Sequence, residues 1–204
     1  MTRAIHLYLV ATISLVSVAI SACGPMGSHL FRDRYTVTAT LQAIGTGPVT
    51  ACRIVHMSVR VVPCQGIPIR NLRRNMLNDV SNAPGGFRTR GFWRVVGNWD
   101  GTGLALTESP SPAAASDASR VWLMRDVSSG ARLSPSEVDA IVKGFDGGGE
   151  RQALESQGIV VLDVRGSIDD GLVDITVAAP TQNAMAYLND HYPSARIYAW
   201  LKAV

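Results

Sequence analysis

The sequence predicts an α+β protein: a small β-barrel or sandwich, OB-like in one version, followed by a small three-stranded α+β domain. Three observations carry that expectation. Period-two apolar runs crowd residues 35–108, the dense helix signatures fall after residue 133, and a Pro-, Ser- and Ala-rich stretch at 109–119 (SPSPAAASDAS) separates the two. The chain has 204 residues, 47% of them hydrophobic and 17% charged, which suits one medium or two small globular domains rather than a disordered chain.

Residues 1–22 read as a targeting segment. Arg3 precedes Leu7–Ile20, an uncharged run of 14 residues. That is short for a bilayer-spanning helix, which needs about 20, and suits the apolar core of a secretory signal. The run Ile20-Ser21-Ala22-Cys23-Gly24 resembles the lipobox of bacterial lipoproteins. The resemblance implies cleavage before Cys23, a diacylglyceryl group on its Sγ, and palmitate-type acyl chains holding the mature N-terminus in a membrane. A plain secreted protein cut nearby and an uncleaved anchor helix are the alternatives. Residues 23–34 then form a tether.

Tyr35–Gln42 alternates, with Tyr35, Val37, Ala39 and Leu41 on one face and three threonines on the other, and Gly45–Pro48 turns the chain. Cys52 and Cys64 remain as an even pair once Cys23 is lipidated, and an exported chain favours a disulfide between them. Between them, residues 53–62 (RIVHMSVRVV) alternate as a strand would. A straight strand of that length would hold the cysteines roughly 40 Å apart, whereas a bridge needs about 4.4–6.8 Å. Either the chain doubles back near His56–Ser58 or the pair stays reduced. Zinc is a further alternative, with only His56 to assist two thiols. Ile69–Gly86 is ambiguous between helical turns and a long loop. Phe92–Asn98 and Gly103–Glu108 flank Asp100-Gly101, a hairpin signal.

In residues 120–204, Leu133-Ser134-Pro135-Ser136-Glu137-Val138 starts a helix: Ser134 caps, Pro135 suits the first position and Glu137 completes a capping box. Gly144 is its expected end. A second helix spans Gly149–Gln157. Ile159–Arg165 and Leu172–Ala178 are strands joined by Gly166–Gly171, with Val160, Leu162 and Val164 sharing one face. Thr181–Tyr192 is a third helix and Arg196–Lys202 a closing strand. Helices on one face would leave Tyr198 and Trp200 on an open surface, to be covered by the β half or by another protein.

Between Tyr35 and Thr107 the chain carries Cys…Pro-Cys-x-Gly and then Gly-x-Trp-x-Val-x-Gly-x-Trp-Asp-Gly-Thr. With the hairpin–helix–strand C-terminus, this resembles a group of uncharacterised actinobacterial envelope lipoproteins. The resemblance implies an envelope location, lipid-anchored and facing outside the cytoplasm, and offers no reaction.

No Gly-x-Ser-x-Gly elbow, His-Glu-x-x-His, phosphate loop or Cys-x-x-Cys occurs. Gly144–Gly149 reads as an interhelix loop. Asp169, Asp170 and Asp174 read as a hairpin turn before a calcium site. No catalytic residue, metal ligand or cofactor is nominated, and an enzyme is the least favoured class. Charge is the most informative pattern. Residues 24–110 hold ten Arg and no Lys against four acids, a net +6, while residues 111–204 hold eight Lys or Arg against twelve acids, a net −4. The basic half lies next to the lipid, where anionic headgroups or an envelope polymer could meet it; nucleic acid is not expected for an exported chain. The candidate binding residues are Arg73, Arg74, Arg88, Arg90, Trp93, Tyr198 and Trp200, with Trp99 beside them. The leading expectation is a non-catalytic envelope protein that binds or scaffolds an unidentified partner. An OB-like module for an envelope glycan or anionic wall polymer is the alternative.

Overall fold

The computed structural model describes residues 34–54, 60–127 and 132–204. The signal segment, Cys23, the tether up to residue 33 and the reversal expected at His56–Ser58 lie outside the described residues. Sequence alternation becomes sheet at once in β1 (Arg34–Ile44), whose Tyr35, Val37, Ala39 and Leu41 point inward and are at most 2% exposed. β1 pairs antiparallel with β2 (Val49–Ile54) along Thr40–Gln42, and β2 with β3 (Gln65–Arg70). After a hairpin of β4 (Val80–Ala83) and β5 (Gly86–Thr89), β6 (Phe92–Trp99) returns to pair with Arg34–Ala39 of β1. β7 (Leu104–Leu106) pairs antiparallel with β6 and parallel with β3. The bonding therefore closes on itself in the order β1-β2-β3-β7-β6-β1.

One expectation is met and two change here. β2 stops at Ile54, and the Cys52–Cys64 disulfide, with its two Cα atoms 5.6 Å apart across the β2–β3 pair, is the bridge expected of the even cysteine pair. The ambiguous stretch Ile69–Gly86 holds the end of β3, a 3-10 turn at Arg74–Met76 and the β4–β5 hairpin. Residues 109–119, expected as a linker, are stitched to the sheet. Ser111–Ala113 forms β8 on β6, and Ser119 both donates its backbone N–H to Thr38 O and accepts the Thr38 N–H at its hydroxyl, each at 2.8 Å.

A second sheet has the order β10-β11-β12-β9, built from β9 (Trp122–Arg125), β10 (Val161–Ser167), β11 (Leu172–Val177) and β12 (Ala195–Ala199). It holds one strand more than expected. The helices α1 (Pro135–Asp146), α2 (Gly149–Ser156) and α3 (Gln182–His191) supply Val138, Phe145, Leu154, Ala184 and Leu188 to the core they share with it. Ser134 and Glu137 form the capping box, but the helix runs through Gly144 and ends at Gly147, whose N–H donates to Lys143 O. The alternation expected for β10 is broken by a bulge between Val161 and Asp163. Val161 and Val164 pack toward the helices, while Leu162 turns the other way.

The described residues belong to one compact unit. Leu162, Ala178, Trp200 and Leu201 of the second layer share a core cluster with Tyr35, Trp93 and Leu104 of the ring. After Ala199 the chain turns, with Trp200 N–H donating to Val177 O and Leu201 N–H to Ala178 O, and β13 (Lys202–Ala203) pairs with Tyr35–Thr36. Gly101 of the β6–β7 turn and Gly158 before β10 meet back to back with φ of 97° and 76°. A Cβ on either would lie 3.3 Å from the other's Cα, so both the left-handed backbone and the close approach require glycine.

Candidate functional site

The face of the second sheet that turns away from the helices is polar. β10 and β11 pair Arg165 with Asp174, and β11 and β12 pair Asp174 with Arg196, which makes one row across three strands. The next row runs Asp163, Thr176, Tyr198 and Leu123 across all four strands. Both rows come from the alternation of these strands: the intervening Val173, Ile175, Ala195 and Ile197 point to the helix core and are at most 1% exposed. β2 brings Arg53 over the β10 edge. Its Nη2 donates to Asp163 Oδ2 at 3.2 Å and to Gln65 Oε1 at 2.5 Å, while Gln65 Nε2 donates to Leu162 O. Arg53 and Gln65 sit directly beside Cys52 and Cys64, so the disulfide ties together the two residues that reach across to the second layer.

A cleft of about 240 Å³ opens at this junction, lined by Arg53, Asp163 and Arg165 at one end, Asp174 and Thr176 on its floor, and Val121 and Tyr198 at the other end. Asp163 Oδ2 also accepts from Arg165 Nε at 2.9 Å. Asp174 takes Arg196 in a bidentate grip, Nε to Oδ1 at 2.6 Å and Nη2 to Oδ2 at 3.0 Å. That hydrogen-bonded carboxylate raises the Arg196 guanidinium above its ordinary value against the opposing effect of burial, helped by the Asp174, Tyr198 and Asp126 charges. The Thr176 and Tyr198 hydroxyls make no hydrogen bond among the described residues. On the helix side, Arg125 is a clasp. It donates to the Tyr192 and Ala195 carbonyls at 2.5 and 2.6 Å, and burial lowers its guanidinium below the ordinary value.

Of the residues nominated from sequence, Tyr198 lines this cleft. Trp93 and Trp200 are 2% and 1% exposed and Trp99 is 9%, so none offers a ring face to a ligand. The correction has a local cause. The turn after Ala199 sends Trp200 into the shared core, where its Nε1 donates to Ser119 O at 3.2 Å, and Trp93 follows the inward alternation of β6. The four arginines gather near the β4–β5 hairpin without forming one patch. Arg74 lies over Phe87 and donates to Asn82, Arg88 on the next position of β5 points the opposite way to Gln42, Arg90 pairs with Asp79 at 3.8 Å, and Arg73 is exposed. Cys52 and Cys64 are bonded.

Sequence reasoning missed Arg53, Asp163, Arg165, Thr176 and Arg196. The available signal was their placement at every second position between apolar residues, which marks a second face with its own pattern. A smaller hollow of about 190 Å³ lies on the outside of the ring, lined by Gln42, Ile44, Pro48, Thr50, Pro63 and Cys64. Among the described residues no three His, Cys, Asp or Glu gather as metal ligands, and no helix is long and apolar enough to cross a membrane. Set against known protein families, curated proteins and solved structures, the chain matches none.

Proposed function

We propose that this chain is a lipid-anchored protein of the cell envelope, facing outside the cytoplasm, whose role is to bind rather than to catalyse. The observation that carries the binding role is the cleft between the layers, built from both halves of the chain. Its two carboxylates are already engaged by guanidinium groups, so what it offers a ligand is fixed guanidinium and hydroxyl donors over a neutralised floor. Such an array orients a ligand and leaves no carboxylate free of a cation to work alone as a base. The disulfide supports an oxidising compartment, and the Ile20–Gly24 lipobox supports acylation at Cys23. The basic half then stands beside anionic headgroups, which attract it with about 1 kcal/mol for each cation near the surface.

Two measurements test this. Cys23→Ser, or globomycin-type inhibition, leaves an unprocessed precursor in the membrane fraction; mature protein in the supernatant with a free Cys23 thiol contradicts the anchor. A thermal-shift screen of polar envelope metabolites finds stabilising ligands whose effect is lost in Thr176→Val; stabilisation that survives that change contradicts the cleft.

A second reading is favoured by the strand order. Five strands closing as β1-β2-β3-β7-β6, with one parallel pair, fit an OB-like barrel, a fold that binds oligosaccharides over its second and third strands and the loop before them. The hollow beside Gly45–Pro48 lies against that loop. On this reading the ligand is an envelope glycan or anionic wall polymer held without tryptophan stacking. A glycan array with Thr50→Arg, which fills the hollow, separates it from the first: lost binding favours the hollow, unchanged binding the cleft.

A further inference from the structure

We infer that the cleft receives a ligand with one anionic head, a carboxylate or similar oxyacid group, on an apolar body, and this rests on the cleft being the binding site. Arg196 and Asp174 close on each other bidentately and leave no surplus, with Asp126 adding its charge on that side. Asp163 is a single carboxylate shared by two guanidinium groups, Arg53 at 3.2 Å and Arg165 at 2.9 Å. That end of the cleft therefore carries one positive charge in excess.

Arg165 holds its share of that charge in water, with a side chain 69% exposed, but Arg53 does not. The Arg53 side chain is 12% exposed, and its Nε is buried with no hydrogen-bond partner among the described residues. A buried charge without a full complement of counter-charge is unfavourable, and an anion arriving beside Arg53 and Arg165 removes that penalty. The hydroxyls of Thr176 and Tyr198 lie next along the same row, with no hydrogen-bond partner among the described residues.

The far end has the opposite character. Tyr198 is followed across the sheet by Leu123, 46% exposed, and Val121, 38% exposed, stands beside them on the cleft wall. From Asp163 to Leu123 the row crosses four strands, a span of about 14 Å at the usual strand spacing. An anionic head at the β10 edge would thus leave an apolar or aromatic body lying over Tyr198 toward β9. Neither a bare inorganic anion nor a neutral sugar uses both ends of such a strip.

The test compares 2-naphthoate with 2-naphthamide, which share a shape and differ in charge. Each is titrated into the mature chain without its lipid while backbone amide and arginine Nε–H resonances are followed. Naphthoate is expected to shift Arg53, Arg165, Thr176, Tyr198 and Val121 saturably and to bind about tenfold more tightly than the amide, the worth of one charge-assisted hydrogen bond over a neutral one. Acetate, lacking a body, should bind more weakly than naphthoate. Arg53→Gln removes a contact between layers and can fail to fold, so the informative variant is Arg165→Gln, whose side chain is 69% exposed. It should weaken naphthoate about threefold, as expected for an exposed charge, and so narrow the preference for acid over amide. Equal affinity of acid and amide at these residues overturns the anionic head while the cleft stands as a binding site. No saturable shift at these residues for either compound overturns both.

Discussion

The four-stranded sheet presents two faces made by the same strands, and they could hardly differ more. Ile175 and Thr176 are neighbours in β11. One side chain is fully buried among the three helices, while the other stands on a row of charges and hydroxyls beside an open cleft. The helix face is closed by apolar area, which is non-directional and tolerates no water. The cleft face is held by a lattice of ion pairs, and the Thr176 and Tyr198 hydroxyls make no hydrogen bond among the described residues, an arrangement that stabilises little. Fold stability and the proposed binding surface are thereby separated by one position in the sequence.

The largest expected effect breaks the sealed face. Ile175→Ala should cost about 2–5 kcal/mol in urea denaturation, as buried aliphatic truncations do; a cost comparable to an exposed site would mean that the helices do not seal it. Next is the tie that holds the ring against the open face. Cys64→Ser should cost roughly 3 kcal/mol in the chain-entropy model for a loop of this length, and non-reducing peptide mapping should recover Cys52 linked to Cys64. Free alkylatable thiols at both positions would contradict it.

The β6–β7 turn supplies a pH-dependent comparison. Burial alone would raise the Asp100 carboxyl. The Thr102 and Gly103 backbone N–H groups, the Thr102 hydroxyl and Arg70 together outweigh it and hold the group below its ordinary 3.8. A carboxyl depressed by folding lends stability that is complete above about pH 5, a unit above the unfolded value, and is lost as acid titrates it through its lower folded value. The stability gap between the native chain and Asp100→Asn should therefore shrink from about pH 5 to about pH 2; a gap that widens with acid would reverse the sign. The smallest effect lies on the open face. Thr176→Val removes a hydroxyl with no hydrogen-bond partner among the described residues and should leave stability within about 0.5 kcal/mol of the native chain.

The legibility of the sequence follows the same division. Elements carried by local chemistry were readable: the capping box at Ser134–Glu137, the Asp100-Gly101 hairpin, the alternation of β1, the even cysteine pair. What depended on distant pairing was not. Ser111–Ala113 has linker composition, yet β6 leaves it an unpaired edge and it becomes a strand. The bulge at Leu162 moved one apolar residue to the other side of β10, which no alternation count foresees. For Trp200 the sequence leaves two covers open, the β half or another protein; the β half covers it, through a turn set by hydrogen bonds to Val177 and Ala178 and the pairing of β13 with β1, contacts that no local pattern encodes. The cleft was hidden because Arg53 meets Asp163, 110 positions later in the chain, only through the packing of the two layers.

The most direct test of the proposed binding cleft is amide chemical-shift mapping of residues 24–204 against an unfractionated polar extract of the proposed envelope fraction. The account expects perturbed resonances to gather at Val121, Asp163, Arg165, Thr176 and Tyr198 and to be lost in Thr176→Val. Perturbations confined to Gln42, Pro48's neighbours and Thr50, or to the β4–β5 hairpin, with the cleft unchanged, would contradict it.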